Sequence, residues 1–284
     1  MQQQDLPISV QNLFQLGVEG IEQNWLDYRE KGIRPEHIPA LISVVDRTRE
    51  LWDEYDAFDE DPEGFAPIHA WRALAQLQAL EALPALMNLL NHVEDIDADI
   101  LQEELPTVYG MLGPGAVPDL TAYIKQGNQE HGMWALLCVG EGLKNIAEAH
   151  PETRAEIVNT LTGALRGYDT QDATYNAFLA DFLMDLKAVE AAPLVEAAFQ
   201  AEMIEESILG DWEDFQVGVG LLEKRLTPPR KFNHDPLFFS DGLEPDPEEI
   251  KLRQHQQRDK KKEKNKRSQA KASRAKNRKK KKKK

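Results

Sequence analysis

A short apolar phrase with proline in its second place recurs along this chain at a steady phase. Its clearest copy, Leu83-Pro84-Ala85-Leu86-Met87, lies within residues 65–90. That stretch reads as two helices joined by a tight turn. In the first, Ile68, Trp71, Leu74, Ala75 and Leu77 form a helical stripe among strong helix formers. In the second, Leu83, Leu86, Met87 and Leu90 stand at i, i+3, i+4 and i+7, one face of a helix. Pro84 falls in the first turn, where its fixed φ suits a helix and its missing N–H removes no bond. Helices this short do not hold in isolation, so the pair must bury its faces against neighbours.

The phrase returns as Ile38-Pro39-Ala40-Leu41, Val117-Pro118-Asp119-Leu120 and Ala192-Pro193-Leu194-Val195. Two places after each proline stand Leu41, Leu86, Leu120 and Val195; six places after stand Val45, Leu90, Ile124 and Phe199. Five places before, the small residues Ala79, Gly113 and Ala188 let two helix ends approach, whereas Arg34 departs from the rule. The prolines are 45, 34 and 75 residues apart. The last gap is about two repeats of ~35–45 residues, so one further copy is expected there, its second helix opened by His150-Pro151-Glu152 with a less regular turn. The predicted hairpins cover residues 10–47, 65–92, 97–126, 129–167 and 171–201. Residues 204–226, with Trp212 and Phe215, are expected to cover the last one.

The turn-and-proline phrases Ala82-Leu83-Pro84, Gly115-Ala116-Val117-Pro118 and Ala191-Ala192-Pro193 resemble those of the HEAT-like repeat family, including its phycobilin-lyase type. The resemblance runs over residues 32–199. It implies an all-α fold, a right-handed α-solenoid of about five stacked helical hairpins. In such stacks the second helices line the concave surface. Off-core positions there include Asp46, Asn88, Asn91, Asp119, Tyr123 and Glu196, with Ser43, Asn159 and Gln200 beside them. Such a lining is acidic to neutral and suits a basic protein partner. Some bacterial HEAT-like proteins of similar size end in a zinc-binding cysteine motif; this chain is similar in layout but has lysines there.

Charge is segregated along the 284 residues. Residues 251–284 hold 19 Lys and Arg against two acidic residues, a net +17, so the first 250 carry −32 of the overall −15. A body this acidic repels nucleic-acid phosphate. The tail is low in complexity and has no aromatic residue, so it is expected to be disordered and to bind polyanions without base stacking. Lys260, Lys261, Lys262, Lys264, Lys266, Arg267, Arg274, Lys276, Arg278, Lys279 and Lys280 are its candidate polyanion contacts. RNA or the ribosome, anionic lipid, and the chain's own acidic faces all match that charge. The organisation expected is therefore an acidic repeat body over residues 1–226, a Pro/Asp-rich linker over 227–250 and the basic tail. Within the linker, Pro236-Leu237-Phe238-Phe239 either folds back on the body or is a short docking motif. Within the body, residues 51–64 read as an acidic insertion: a solvated loop or a counter-surface for something basic, lacking the glycine and spacing of an EF-hand loop.

There is no glycine-rich phosphate loop, no GxSxG and no HExxH. No two of the seven histidines pair at metal-ligand spacing on one helix; His69 and His92 face across one hairpin, and each histidine reads as an isolated surface or turn residue. His37 stands where other copies have alanine and suits a capping role. Cys138 is the one cysteine, so neither an internal disulfide nor a cysteine zinc site forms; in an apolar run it reads as a buried thiol. No cofactor or metal is expected. No apolar run reaches membrane-helix length, and the first ten residues lack a signal-peptide pattern, so a cytoplasmic protein is the expectation. The function expected is a non-catalytic interaction scaffold: the repeat surface binds a protein, the tail a polyanion such as RNA or the ribosome. The alternative is a HEAT-like enzyme or cofactor handler such as a chromophore lyase. A repeat-fold nucleic-acid enzyme is disfavoured by the −32 body.

Overall fold

The computed structural model describes residues 3–21, 25–54, 62–94, 99–127 and 130–229. All of them lie in one compact unit, Met1–Lys231. The linker from Arg230 onward and the basic tail lie outside the described residues. Regular structure among the described residues is helical throughout. After α1 (Ile8–Gln11) come α2 (Ile38–Val45), α3 (Thr48–Glu54), α4 (Ala66–Gln76), α5 (Leu83–Asn88), α6 (Asp99–Leu112) and α7 (Val117–Gln126). They are followed by α8 (Met133–Ala149), α9 (Arg154–Leu165), α10 (Ala173–Asp185), α11 (Ala192–Gln200), α12 (Glu206–Leu209) and α13 (Trp212–Gly218). None of these helices is long and apolar enough to cross a membrane.

The recurring phrase has one local structure. A 3-10 turn leads into each second helix: Pro35–His37 before α2, Leu80–Ala82 before α5, Gly113–Ala116 before α7, Pro151–Thr153 before α9 and Val189–Ala191 before α11. The prolines occupy the first helical turn of α2, α5, α7 and α11. The irregular copy is α9, which begins at Arg154 and not at residues 150–152. Ala155 takes the proline's place, 37 residues after Pro118 and 38 before Pro193. Pro151 sits four places earlier, inside the 3-10 turn, as Pro35 and Pro114 do in theirs. Both places accept proline because neither N–H is needed, which is why a proline alone misplaces the helix start by one turn. In this register Leu41, Leu86, Leu120, Ile157 and Val195 are equivalent, and all five are fully buried.

First helices pack on first helices: α4 on α6, α6 on α8, α8 on α10. Second helices do the same, α2 with α5, α7 with α9 and α9 with α11, and α13 closes on α10 and α11. Glycines bring the first helices close. A Cβ at Gly142 of α8 would lie 2.9 Å from the Tyr109 side chain of α6, and one at Gly140 would lie 3.0 Å from the Phe182 ring of α10. Inside α6, Pro106 supplies no N–H to the carbonyl of Gln102 four residues back. The Cys138 thiol of α8 points to that carbonyl oxygen, 4.0 Å away. Burial pushes that thiol up to about 12, so it stays protonated and unreactive.

Helix α4 is buried from Ala66 to Ala75, including two polar side chains, His69 and Arg72. Both reach the segment before α2. Arg72 donates to the carbonyls of Gly20 (2.6 Å) and Ile21 (3.2 Å), pairs with Glu104 of α6 through both Nε and Nη2, and lies 4.9 Å over the Trp25 ring. His69 is thus a core residue and not the surface or turn histidine expected. Its Nε2–H donates to Gly17 O (2.9 Å), and its Nδ1 accepts from the Tyr28 hydroxyl (2.7 Å). Desolvation lowers its pKa to about 4, with Gly17 O opposing, so the ring is neutral at pH 7. Gln76 adds two bonds, to Leu26 O and from Tyr28 N. His37 accepts from the Arg34 N–H at 3.0 Å, a cap of the kind expected. In the supposed acidic insertion, Leu51 to Glu54 belong to helix α3, and Trp52 donates to Gly64 O and meets the Trp71 ring edge-on. The carboxylates of Asp56, Asp59, Glu60 and Asp61 lie outside the described residues.

Three helices end on a left-handed residue that is not glycine: Gln78, Lys187 and Glu202. In each, the next N–H bonds five residues back, for example Met203 N to Ala198 O at 3.0 Å, the bond of a Schellman ending. A side chain there costs energy that glycine avoids. Glu202→Gly is expected to raise stability by about 0.5–1 kcal/mol, read as a higher urea midpoint. Arg72→Ala leaves two carbonyls without their donor and Glu104 with only the Trp71 indole N–H, and is expected to cost about 3–5 kcal/mol by the same measurement.

Candidate functional site

The structure spreads the candidate partner contacts along the second helices. Asp46 caps the end of α2, Asn88 ends α5, Asp119 lies in the first turn of α7 and Glu196 lies in α11; all are exposed. Asn91 is exposed in the turn after α5, and its amide donates to Asn88 O and Oδ1. That pair is brought together; Asp46, Asp119 and Glu196 stay on separate helices. Tyr123 differs, being half-buried with its ring stacked on His131 at 3.7 Å and 7°. Burial, with Cys138 and Glu94 nearby, pushes its hydroxyl up to about 12. The eleven tail residues lie outside the described residues.

A second group of side chains gathers where α8 and α10 lie side by side. Trp134, Glu141, Lys144 and Asn145 are half-buried residues of α8, whereas residues 135–140, Gly142 and Leu143 are buried. At the start of α8 the Glu94 carboxylate, from the turn after α5, accepts the Trp134 N–H at 2.9 Å and so caps α8 across hairpins. The Trp134 ring meets Phe178 of α10 edge-on at 6.5 Å. Two turns further on, the Lys144 ammonium lies 3.4 Å from Asp185 Oδ2, 3.9 Å from Glu141 Oε1 and 5.9 Å from the Phe182 ring centre. Asp181 completes the group. Its carboxyl is raised to about 6, by burial first and then by Asp185 and Glu141, with Lys144 opposing. Burial likewise raises Glu141, against Lys144. One ammonium thus faces three carboxylates, two of them half-buried.

Chemically this face suits cation binding by charge and by ring surface. No cluster of three or more His, Cys, Asp or Glu among the described residues is arranged to hold a metal ion. Glu141, Asp181 and Asp185 are not among the carboxylates to which the sequence pattern points, and Trp134 and Phe178 stand there only as apolar members of their helices. The signal that could have found the face is the spacing of Trp134, Glu141 and Asn145 against that of Phe178, Asp181 and Asp185. Their partnership, however, depends on α8 and α10 lying side by side. Comparison of the chain with family models, with curated proteins and with solved structures finds no match.

The raised Asp181 carboxyl has a stability consequence. A folded-state pKa above the usual value favours the fold at low pH, and that advantage is lost as pH rises through about 6. Asparagine at this place does not ionise. Asp181→Asn is therefore expected to stabilise the protein by about 1 kcal/mol at pH 8, allowing for solvent screening of a half-buried group, and to be neutral near pH 3. Urea midpoints at the two pH values check it.

Proposed function

We propose that this chain is a non-catalytic interaction scaffold: a HEAT-like α-solenoid whose acidic surface binds a basic protein partner, with a basic tail that binds a polyanion such as RNA. The observation that carries the proposal is the separation of charge, −32 over the first 250 residues and +17 over the last 34. Like charges held together in one segment attract a partner of opposite sign, and two such segments in one chain attract two different partners. The packing of first helices on first helices, and of α2 on α5, α7 on α9 and α9 on α11, supports the solenoid. The common 3-10 turn and proline register in the hairpins supports it further. A stack of this kind offers extended surface without requiring any catalytic group.

The two ends of the proposal separate experimentally. Full-length chain and a chain ending at residue 250 are used to capture partners from lysate over a salt series. The tail reading expects RNA on the full chain alone, falling steeply as salt rises. It expects protein partners on both chains. Equal RNA on the shortened chain would overturn the tail's role. Loss of all protein partners from both chains at low salt would overturn the acidic surface's role.

A further inference from the structure

We propose that the edge where α8 and α10 lie side by side, from Trp134 and Phe178 to Lys144 and Asp185, is a docking strip for an extended Lys/Arg-rich segment of the partner protein. This rests on the partner-binding reading above and names the surface and the chemistry that would carry it. Ten residues of helix span about 15 Å, the length of an extended segment of about four or five residues. The two ends of the strip differ. At one, the half-buried rings of Trp134 and Phe178 lie beside the Glu94 carboxylate that caps α8, with Tyr123 close enough for Glu94 to act on it. At the other, the Lys144 ammonium lies between Asp185 (3.4 Å) and Glu141 (3.9 Å), with half-buried Asp181 one turn before Asp185 on α10.

Three observations point to a cationic occupant. The carboxylates outnumber the cation three to one on a surface that is already half-buried, so an arriving ammonium or guanidinium gains more there than on an open acidic face. Lys144 is a resident example of the fit: its ammonium sits between two carboxylates and near the Phe182 ring. The exposed part of Trp134 and Phe178 gives ring surface on which a further cationic side chain can lie. A phosphate backbone is excluded by the same charges. The acidic residues of the second helices lack this clustering, because Asp46, Asp119 and Glu196 are exposed on separate helices.

The test uses the full chain and a fluorescein-labelled octapeptide of alternating Arg and Gly, with a Ser/Gly octapeptide as reference, read by fluorescence anisotropy at low salt. Wild type is expected to bind the Arg peptide and not the reference. The pair Glu141→Gln with Asp181→Asn is expected to weaken binding by about tenfold or more, with helical circular dichroism unchanged. Phe178→Leu keeps apolar volume, removes the ring, and is expected to weaken binding by about threefold. Asp46→Asn with Asp119→Asn is expected to stay within about twofold of wild type. Wild-type affinity in the strip variants together with a loss in the second-helix pair would overturn the strip while leaving an acidic partner surface intact. Binding of the Arg peptide no tighter than the reference would overturn both.

Discussion

The guanidinium of Arg72 joins three parts of the chain that share no local sequence. It is buried on α4, bonds two carbonyls of the segment before α2, and pairs with Glu104 on α6. A buried charge is tolerated only when its donors are matched, and here the match comes from three elements at once. The consequence is geometric. With α4 wholly covered, the N-terminal segment has one place to lie, and His69 and Gln76 bond to the same strip of backbone. The segment before α2 thereby covers α4, which also packs on α2 and α6.

From that covered end the structure advances by repetition. Each second helix starts from the same 3-10 turn, and each sets one fully buried aliphatic residue at the equivalent place. Where the repetition lapses, local chemistry compensates. Ala155 replaces proline in α9, and Arg154 beside it bonds the carbonyls of Leu186 and Lys187, tying α9 to the end of α10. Pro106 interrupts α6, and the thiol of Cys138 turns toward the carbonyl left behind. That accounts for the cysteine without any reactivity. The far end closes through α13, where Asp211 caps the helix and Arg225 pairs with Asp211 and Asp214.

The edge between α8 and α10 is the place where the fold gives up stability. Asp181 and Glu141 keep carboxyls in half-buried positions that raise their pKa, and Lys144 offsets only part of the repulsion. Core helices elsewhere pair their buried charges, as Arg72 does with Glu104. A half-buried, under-neutralised carboxylate group beside exposed rings is the physical basis of the proposed cation-docking role. The charge contrast between body and tail belongs to a different level, since it requires no folded geometry at all.

Periodicity made the helices from α4 to α11 readable from residues alone, whereas the expected first helix of residues 10–47 is only the short α1 and a 3-10 turn. Leu83, Leu86 and Leu90 are apolar at helical spacing, and an apolar stripe has few ways to leave water. The segregated charge was equally plain, being a property of composition. The start of α9 was not, because Pro151 is as acceptable in a 3-10 turn as in a first helical turn. Nor was the fate of His69 and Arg72. Polar residues on an apolar helix face have no preferred direction until a partner arrives from distant sequence, and Gly17, Gly20 and Glu104 are such partners. The same holds for Asp181 and Lys144, whose meeting depends on α8 lying against α10. The order of residues thus determined the helices of the described residues, the recurring proline phrase that opens four of them, and the opposite charge of body and tail. Tertiary packing decided which polar groups are buried together, because desolvation and hydrogen-bond pairing act between elements that only the folded chain brings into contact.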